Sequence, residues 1–104
     1  EIKRITMKIT KKVTFVAKEG HEKQLSTLLN SMIDASRNEQ GCLLYDIFQY
    51  ENNTNKFIVL ESWADEEALE GHKHSKHYVH YKAHYEVHTA EKSSDNLNIL
   101  GDLF

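Results

Sequence analysis

The pattern of apolar and polar residues predicts that the chain begins with a β-strand followed by a helix. Residues 11–18 alternate, with Val13, Phe15 and Ala17 on one face, and they are rich in β-branched side chains. Residues 21–38 instead repeat their apolar positions with the period of an amphipathic helix that buries one stripe. These positions are Leu25, Leu28, Leu29, Met32 and Ile33.

Two further strands are predicted as a hairpin over residues 42–50 and 56–63. The polar cluster at 51–55 is typical of the turn between such strands. Both strands carry apolar residues on both faces, so both faces of the sheet require a cover. Helices can cover one face, and we expect the other face to line a cavity or to meet a second subunit.

The last third of the chain predicts a pair of helices and a fourth strand. Asp65 is a favourable N-cap for a helix over residues 66–72, and Ser75 for a helix that continues to about Thr89. Residues 95–101 are predicted to form the strand. The order strand, helix, strand, strand, helix pair, strand is the split β-α-β order of an α+β, ferredoxin-like fold.

Length and composition predict a single domain. The 104 residues contain no proline and no low-complexity segment, so we expect one domain over residues 1–104 with its core at about 11–101. Because Met7 is a natural start, residues 1–6 are expected to be upstream or vector-derived sequence.

Charge and cysteine content limit the classes of function. The net charge of −3 and the dispersed lysines argue against binding to nucleic acid. The lone Cys42 excludes an internal disulfide and favours a reducing, cytoplasmic location. No apolar run reaches the ~20 residues of a membrane-spanning helix, so no membrane association is expected.

Histidines are concentrated in residues 63–88, which hold six of the seven in the chain. Helical geometry places four of them on one arc between two less polar stripes, which predicts that they face inward or toward a partly enclosed space. These four are His77, His80, His84 and His88.

Three interpretations of this arc are open. The histidines can be hydrogen-bonded residues at the margin of the core, ligands of a metal ion, or acid–base groups that titrate near neutral pH. A dedicated metal site is disfavoured, because His80 and His88 are separated by about 12 Å along the helix axis and no acidic residue joins them.

Two segments of the chain resemble the antibiotic biosynthesis monooxygenase superfamily, in particular its small quinol-monooxygenase-like members. They read EQGCLLYDIF and FIVLESWADEEALEGHKHSKHY. Their order and spacing match the pattern of this family. A glycine and a small residue enter the second strand, an acid stands two residues before an aromatic residue at the end of the third strand, and two histidines flank a break between helices. The residues in these positions are Gly41, Cys42, Glu61, Trp63, His72 and His77. The resemblance spans about residues 11–101.

The resemblance implies a homodimeric α+β barrel in which the sheets of two subunits pack face to face and each subunit keeps its own pocket. It also implies a cofactor-independent monooxygenase, without a metal, that oxidises a small aromatic or quinol-like substrate with dioxygen. By position, His72 or His77 would be the catalytic base and Glu61 would orient a partner. The substrate-binding walls would be formed by Trp63, Phe48, Tyr78 and Tyr81.

The resemblance leaves alternatives open. A similar branch of the fold isomerises a phosphorylated dione used as a quorum signal, but it needs an anion site, and the only arginines here are Arg4 and Arg37. A dimeric ligand-binding or stress-response module without turnover would share the fold. Haem degradation is disfavoured, because the first strand has no asparagine and Lys82 stands where that branch has a histidine.

Overall fold

A computed structural model describes residues 8–101, and the expectation for residues 1–6 lies outside this range. The strands are β1 (Ile9–Ala17), β2 (Cys42–Gln49), β3 (Lys56–Trp63) and β4 (Thr89–Leu97). The helices are α1 (Glu22–Asn30), α2 (Ile33–Arg37), α3 (Glu66–Lys73) and α4 (Lys76–His84), and a short 3-10 turn follows at Glu86–His88. None of the helices in this range is long and apolar enough to span a membrane.

The four strands form one antiparallel sheet in the order β2-β3-β1-β4. In the two central strands Val13 lies opposite Val59 and Phe15 opposite Phe57, so their apolar positions share one face. The helices cover this face. The predicted α+β, ferredoxin-like fold is confirmed.

The hydrophobic core lies between the covered face of the sheet and the helices. Phe15, Leu25 and Trp63 are at most 1% exposed, and burial of each such side chain stabilises the fold by roughly 1.5–3 kcal/mol. The other buried apolar residues are Val13, Ala17, Leu28, Leu29, Met32, Tyr45, Phe57, Val59, Leu69 and Tyr81.

The opposite face of the sheet is also partly apolar, and nothing within the described part of the chain covers it fully. Strand alternation places Ile58 and Leu60 there, and Phe48 joins them because it lies opposite Ile58 in the β2–β3 pairing. Phe48 is 51% exposed and Leu97, at the end of β4, is 39% exposed. The expectation that both faces of these strands carry apolar residues is therefore confirmed.

The single helix predicted over residues 21–38 is wrong, because the segment divides into α1 and α2. Ser31 lies at the break, where its hydroxyl donates a hydrogen bond to the carbonyl oxygen of Leu28 at 2.6 Å. The N–H of Met32 bonds to the carbonyl of Leu29, three residues back, which tightens the last turn of α1. The helical spacing of apolar residues does not reveal this break, because Met32 is buried and so continues the apolar stripe across it.

The predicted boundaries of the last helix and the last strand are also wrong. Helix α4 ends at His84 rather than near Thr89, and β4 begins at Thr89 rather than at residue 95. The sequence of β4 lacks the alternation of apolar and polar residues that marks a half-buried strand, and every residue after Thr89 keeps a large accessible surface, including Lys92 and Ser94, which line the cavity described below. Hydrogen bonding to β1 forms the strand instead, and its polar side chains are typical of a sheet edge.

Gly41 is expected to be irreplaceable, because both its backbone and its surroundings require glycine. Its φ is +85°, and an added Cβ would lie 2.5 Å from the Cβ of Ala68. We expect Gly41→Ala to lower the free energy of unfolding, measured in urea, by about 2–5 kcal/mol. This sum combines roughly 1–2 kcal/mol for the left-handed backbone and roughly 1–3 kcal/mol for overpacking.

Gly20→Ala is the matched control for this prediction. Gly20 has a φ of +84°, but nothing lies within 4 Å of the Cβ that alanine would add. It should therefore lose only the backbone contribution of roughly 1–2 kcal/mol. Equal losses in the two variants would contradict the role assigned to the contact with Ala68.

Candidate active site

A cavity of about 210 Å³ lies between the covered face of the sheet and the helices. Its apolar walls come from the core of the protein: Val13, Phe15, Leu29, Met32, Val59 and Leu69. Its polar lining consists of Lys11, Tyr45, Glu61, His72, Lys73, Tyr78, Tyr81, Lys92 and Ser94. A mostly apolar space with a few convergent polar groups is typical of a small-molecule site.

The break between α3 and α4 positions two histidines beside this cavity. Asp65 and Ser75 cap the two helices, each by accepting a backbone N–H from three residues ahead, at 2.8 and 3.2 Å. Both predicted caps are confirmed. His72 lies in the last turn of α3, and His77 lies in the first turn of α4.

Glu39, in the loop between α2 and β2, joins these two histidines. One carboxylate oxygen, Oε2, accepts a hydrogen bond from Nδ1 of His72 at 2.8 Å and another from Nε2 of His77 at 2.5 Å. Because the N–H at Nδ1 of His72 donates this hydrogen bond to Glu39, the neutral ring carries its free lone pair on Nε2. His72 therefore offers the cavity a hydrogen-bond acceptor.

The ring of His72 is 2% exposed and is enclosed by aromatic side chains. It packs against Trp63 with the ring centroids 4.4 Å apart and the planes tilted by 32°, and Tyr78 meets it edge-on at 5.0 Å. Trp63 in turn donates its indole N–H to Oε1 of Glu61 at 2.7 Å. Since Glu61 and Trp63 are two residues apart on β3, they share the covered face, as the sequence predicts.

Glu61 brings a carboxylate close to the cavity-facing side of His72. The distance from Oε1 of Glu61 to Nε2 of His72 is 3.9 Å, which is too long for a hydrogen bond. A hydroxyl group of a ligand could meet both groups there. Acid–base chemistry on such a hydroxyl is what this pair of residues can perform.

Burial keeps the tyrosines of the cavity in their neutral form. Removal of the phenol groups from water raises the pKa of Tyr45, Tyr78 and Tyr81 above the ordinary value of 10.0, and the negative charge of Glu61 raises each further. These side chains can donate hydrogen bonds to a ligand, but they cannot serve as phenolate bases near neutral pH.

Lysines form a cationic part of the same lining. The ammonium of Lys92 lies 4.6 Å from the ring centre of Tyr85 and 5.5 Å from that of Tyr81, within cation–π range. Burial against these rings lowers the pKa of Lys92, and the charge of Lys82 lowers it further. Lys11 and Lys73 also line the cavity.

The structure brings together four of the seven residues predicted for the site, because His72, Glu61, Tyr78 and Tyr81 all line the cavity. Two others support it from behind: Trp63 packs against His72, and His77 is linked to it through Glu39. Phe48 points to the opposite face of the sheet and does not line this cavity.

The prediction that the late-helix histidines face inward is wrong for His80 and His84, whose side chains are exposed on α4. His88 is partly buried, and its Nδ1 lies 3.0 Å from Nδ1 of His21. The helix ends at His84, so the regular wheel that placed four histidines on one arc does not extend to His88.

Sequence reasoning missed Glu39 and the lysines of the cavity. Glu39 begins the segment EQGCLLYDIF, so a signal was present, but its partners are 33 and 38 residues away. Lys92 was missed because the strand that carries it was predicted to begin at residue 95. In the β1–β4 pairing Lys92 lies opposite Phe15, on the covered face.

The fold and this cavity define a small ferredoxin-like protein with a pocket whose wall carries a histidine oriented by a carboxylate. Residues 9–84 match the family model for antibiotic biosynthesis monooxygenase, and the chain belongs to this family.

Relatives and solved structures agree with this assignment. The chain is 35% identical over 68 residues to the Bacillus subtilis protein named "Putative monooxygenase YcnE". The matched stretch covers 65% of this chain and 70% of that protein. It is 30% identical over 69 residues to "Putative monooxygenase Rv0793" of Mycobacterium tuberculosis, covering 66% and 67% of the two chains. The crystal structure of PA3566 from Pseudomonas aeruginosa matches with a TM-score of 0.88 at 29% identity, covering 95% of this chain and 100% of its own.

The buried tyrosines predict a loss of stability at alkaline pH. Folding raises the pKa of these phenol groups, so the folded state holds their protons more tightly than the unfolded state does. Their contribution to the free energy of unfolding is complete below the unfolded pKa of 10.0, and it is lost as the pH rises from there through the folded pKa. For Tyr81→Phe we expect the free energy of unfolding to fall less steeply above pH 10, by up to about 1.4 kcal/mol per pH unit. Urea denaturation between pH 8 and about 11 measures the slope.

Tyr50→Phe, at an exposed position, should keep the wild-type slope, and an unchanged slope in Tyr81→Phe would contradict this account.

Proposed function

We propose that this protein is a cofactor-independent monooxygenase that oxidises a small quinol-like aromatic substrate with dioxygen. The observation that carries the proposal is the position of His72 at the cavity wall, where Glu39 holds Nδ1 and leaves Nε2 for the substrate. A cavity of about 210 Å³ with apolar walls suits a small aromatic ring.

In the proposed reaction, Nε2 of His72 takes the proton of a substrate hydroxyl, and the resulting phenolate is electron-rich enough to react with dioxygen. Glu39 stabilises the imidazolium that forms, as a carboxylate does beside a catalytic histidine in other enzymes. One oxygen atom enters the ring and the other leaves as water. The substrate loses two hydrogen atoms and gains one oxygen, so it supplies all four electrons that reduce dioxygen.

The remaining residues have supporting roles in this proposal. Glu61 orients the substrate hydroxyl, and Tyr78 and Tyr81 form walls of the pocket. His77 acts through Glu39 as a positioning residue, and Trp63 supports the ring of His72 from behind. Phe48 has no role in this cavity, because it lies on the opposite face of the sheet.

Replacement of His72 tests the proposal directly. We expect His72→Gln to lower kcat/KM for the best hydroquinone of a panel by about 10²- to 10⁴-fold, the usual contribution of a general base. Oxygen uptake measures the rate, and far-ultraviolet circular dichroism reports whether the variant is folded. His80→Gln, on the exposed surface of α4, is the matched control and should retain full activity. Oxygen consumption that is absent across the panel, or equal in wild type and His72→Gln, would refute the proposal.

A second candidate function is favoured by the lysines. An isomerase of a small phosphorylated dione needs an anion site, and Lys11, Lys73 and Lys92 on the cavity wall could form one. This candidate requires no dioxygen. Isomerisation under anaerobic conditions, with competition by inorganic phosphate, would favour it over the monooxygenase. Tight ligand binding without turnover of either kind would instead favour a non-catalytic binding module.

We also propose that the protein is a homodimer in which the uncovered faces of two sheets pack together. The apolar residues on this face support the proposal, because an exposed apolar patch of this kind in a stable protein usually meets a partner. They include Leu44, Phe48, Ile58, Leu60 and Leu97.

Ile58→Lys is expected to break the proposed dimer. Ile58 pairs with Thr14 on one side and Phe48 on the other, near the middle of the sheet, so an ammonium there would lie unpaired in the interface. We expect the dimer dissociation constant to rise at least about tenfold, because burying an unpaired charge costs several kcal/mol. Sedimentation at micromolar concentration measures this change. Val79→Lys, at an exposed position of α4, is the control, and a monomeric wild-type protein would contradict the proposal.

A further inference from the structure

We propose that Glu39, His72 and His77 form a binding site for one divalent transition-metal ion. Each residue offers one ligand atom, and the three atoms all lie within 4.8 Å of one another. They come from three separate elements, the loop before β2, helix α3 and helix α4, so the fold assembles them without any local sequence motif.

The set of ligands suits zinc, iron(II) or cobalt(II). Two neutral imidazoles and one carboxylate provide the nitrogen and oxygen donors that these ions prefer, and they leave further coordination positions open. In a four-coordinate zinc site with bonds of about 2.0–2.1 Å, neighbouring ligand atoms lie roughly 3.3 Å apart. The carboxylate oxygen lies 2.5 and 2.8 Å from the two nitrogens, so an ion would have to spread these hydrogen-bonded atoms by about 0.5–0.8 Å, which side-chain rotation at the partly exposed Glu39 and His77 allows.

An ion can reach this cluster from the surface. The side chains of Glu39 and His77 are 16% and 20% exposed, whereas His72 is at the inner end, 2% exposed. Glu39 also lines a second, open groove, together with Asp65 and Glu67. Carboxylates that line a groove raise the local concentration of cations beside Glu39.

Further residues behind the cluster would hold the metal-bearing ring in place. The ring of His72 packs against Trp63, and its second nitrogen faces the carboxylate of Glu61 at 3.9 Å. Glu61 is itself fixed by the indole N–H of Trp63 at 2.7 Å. A carboxylate behind a metal-binding histidine is the usual arrangement in metalloproteins, and it orients the ring.

Metal binding would change what His72 presents to the cavity. When Nδ1 binds an ion, the neutral ring carries its proton on Nε2, so the nitrogen that faces Glu61 becomes a donor instead of an acceptor. If His72 is the base of the proposed oxidation, an ion at this site inhibits the enzyme. This consequence rests on the proposed function, whereas the metal site itself does not.

Binding can be measured without any substrate, because Trp63 is the only tryptophan of the chain and lies against His72. Untagged wild-type protein is titrated with cobalt(II), and both the Trp63 emission and the cobalt d–d absorption are followed. We expect quenching that saturates at one ion per chain, absorption bands of a low-coordinate cobalt site, and recovery of the emission when zinc displaces cobalt.

Three variants decide between this cluster and other histidines. Glu39→Gln and His77→Gln should each weaken cobalt binding by at least about tenfold. The double variant His80→Ala with His84→Ala removes an exposed pair at i, i+4 spacing, which is one competing surface site, and should bind like the wild type.

The proposal is overturned if wild-type protein shows no saturable quenching, or if Glu39→Gln and His77→Gln bind cobalt as tightly as it does. It is also overturned if only the double variant loses binding. Should Glu39→Gln fail to fold, the partly exposed His77→Gln carries the test. Inhibition of hydroquinone oxidation by zinc is a separate measurement, so absence of that activity would refute the proposed function and leave the metal titration valid.

Discussion

Glu39 is the residue on which the arrangement of this site depends. Its carboxylate accepts hydrogen bonds from His72 and His77, which belong to different helices, so it ties the loop before β2 to both of them. Without this partner the buried N–H of His72 would be unsatisfied, at a cost of about 1–3 kcal/mol. The same contact decides which nitrogen of His72 faces the cavity. The burial of His72 and the tautomer of its ring therefore both depend on one carboxylate.

The cavity combines groups of opposite character around apolar walls. Glu61 and His72 place a carboxylate and an imidazole at one part of the lining, and lysines such as Lys92 supply positive charge at another. A substrate that ionises on binding would benefit from both, because a nearby cation favours the anionic form of an acid. The tyrosines contribute shape and hydrogen-bond donors, since burial keeps their phenol groups neutral.

Much of the fold could be predicted because its signals are local. The β2–β3 hairpin, the caps at Asp65 and Ser75 and the shared face of Glu61 and Trp63 all follow from residues close together in the sequence. The break at Ser31 and the extent of β4 could not be predicted in the same way. The first is marked only by local hydrogen bonds at Ser31 and Met32, and pairing with a distant strand forms the second.

The sequence by itself determined the periods of the helices and strands, the ferredoxin-like order and the histidine pair at the helix break. Only the tertiary structure decided which histidines matter. His72 is enclosed because Trp63 and Tyr78 pack around it, whereas His80 and His84 on the same stretch of chain remain exposed. The carboxylates that lie beside His72 come from distant parts of the sequence, and they meet it only because packing places the α2–β2 loop and β3 beside α3.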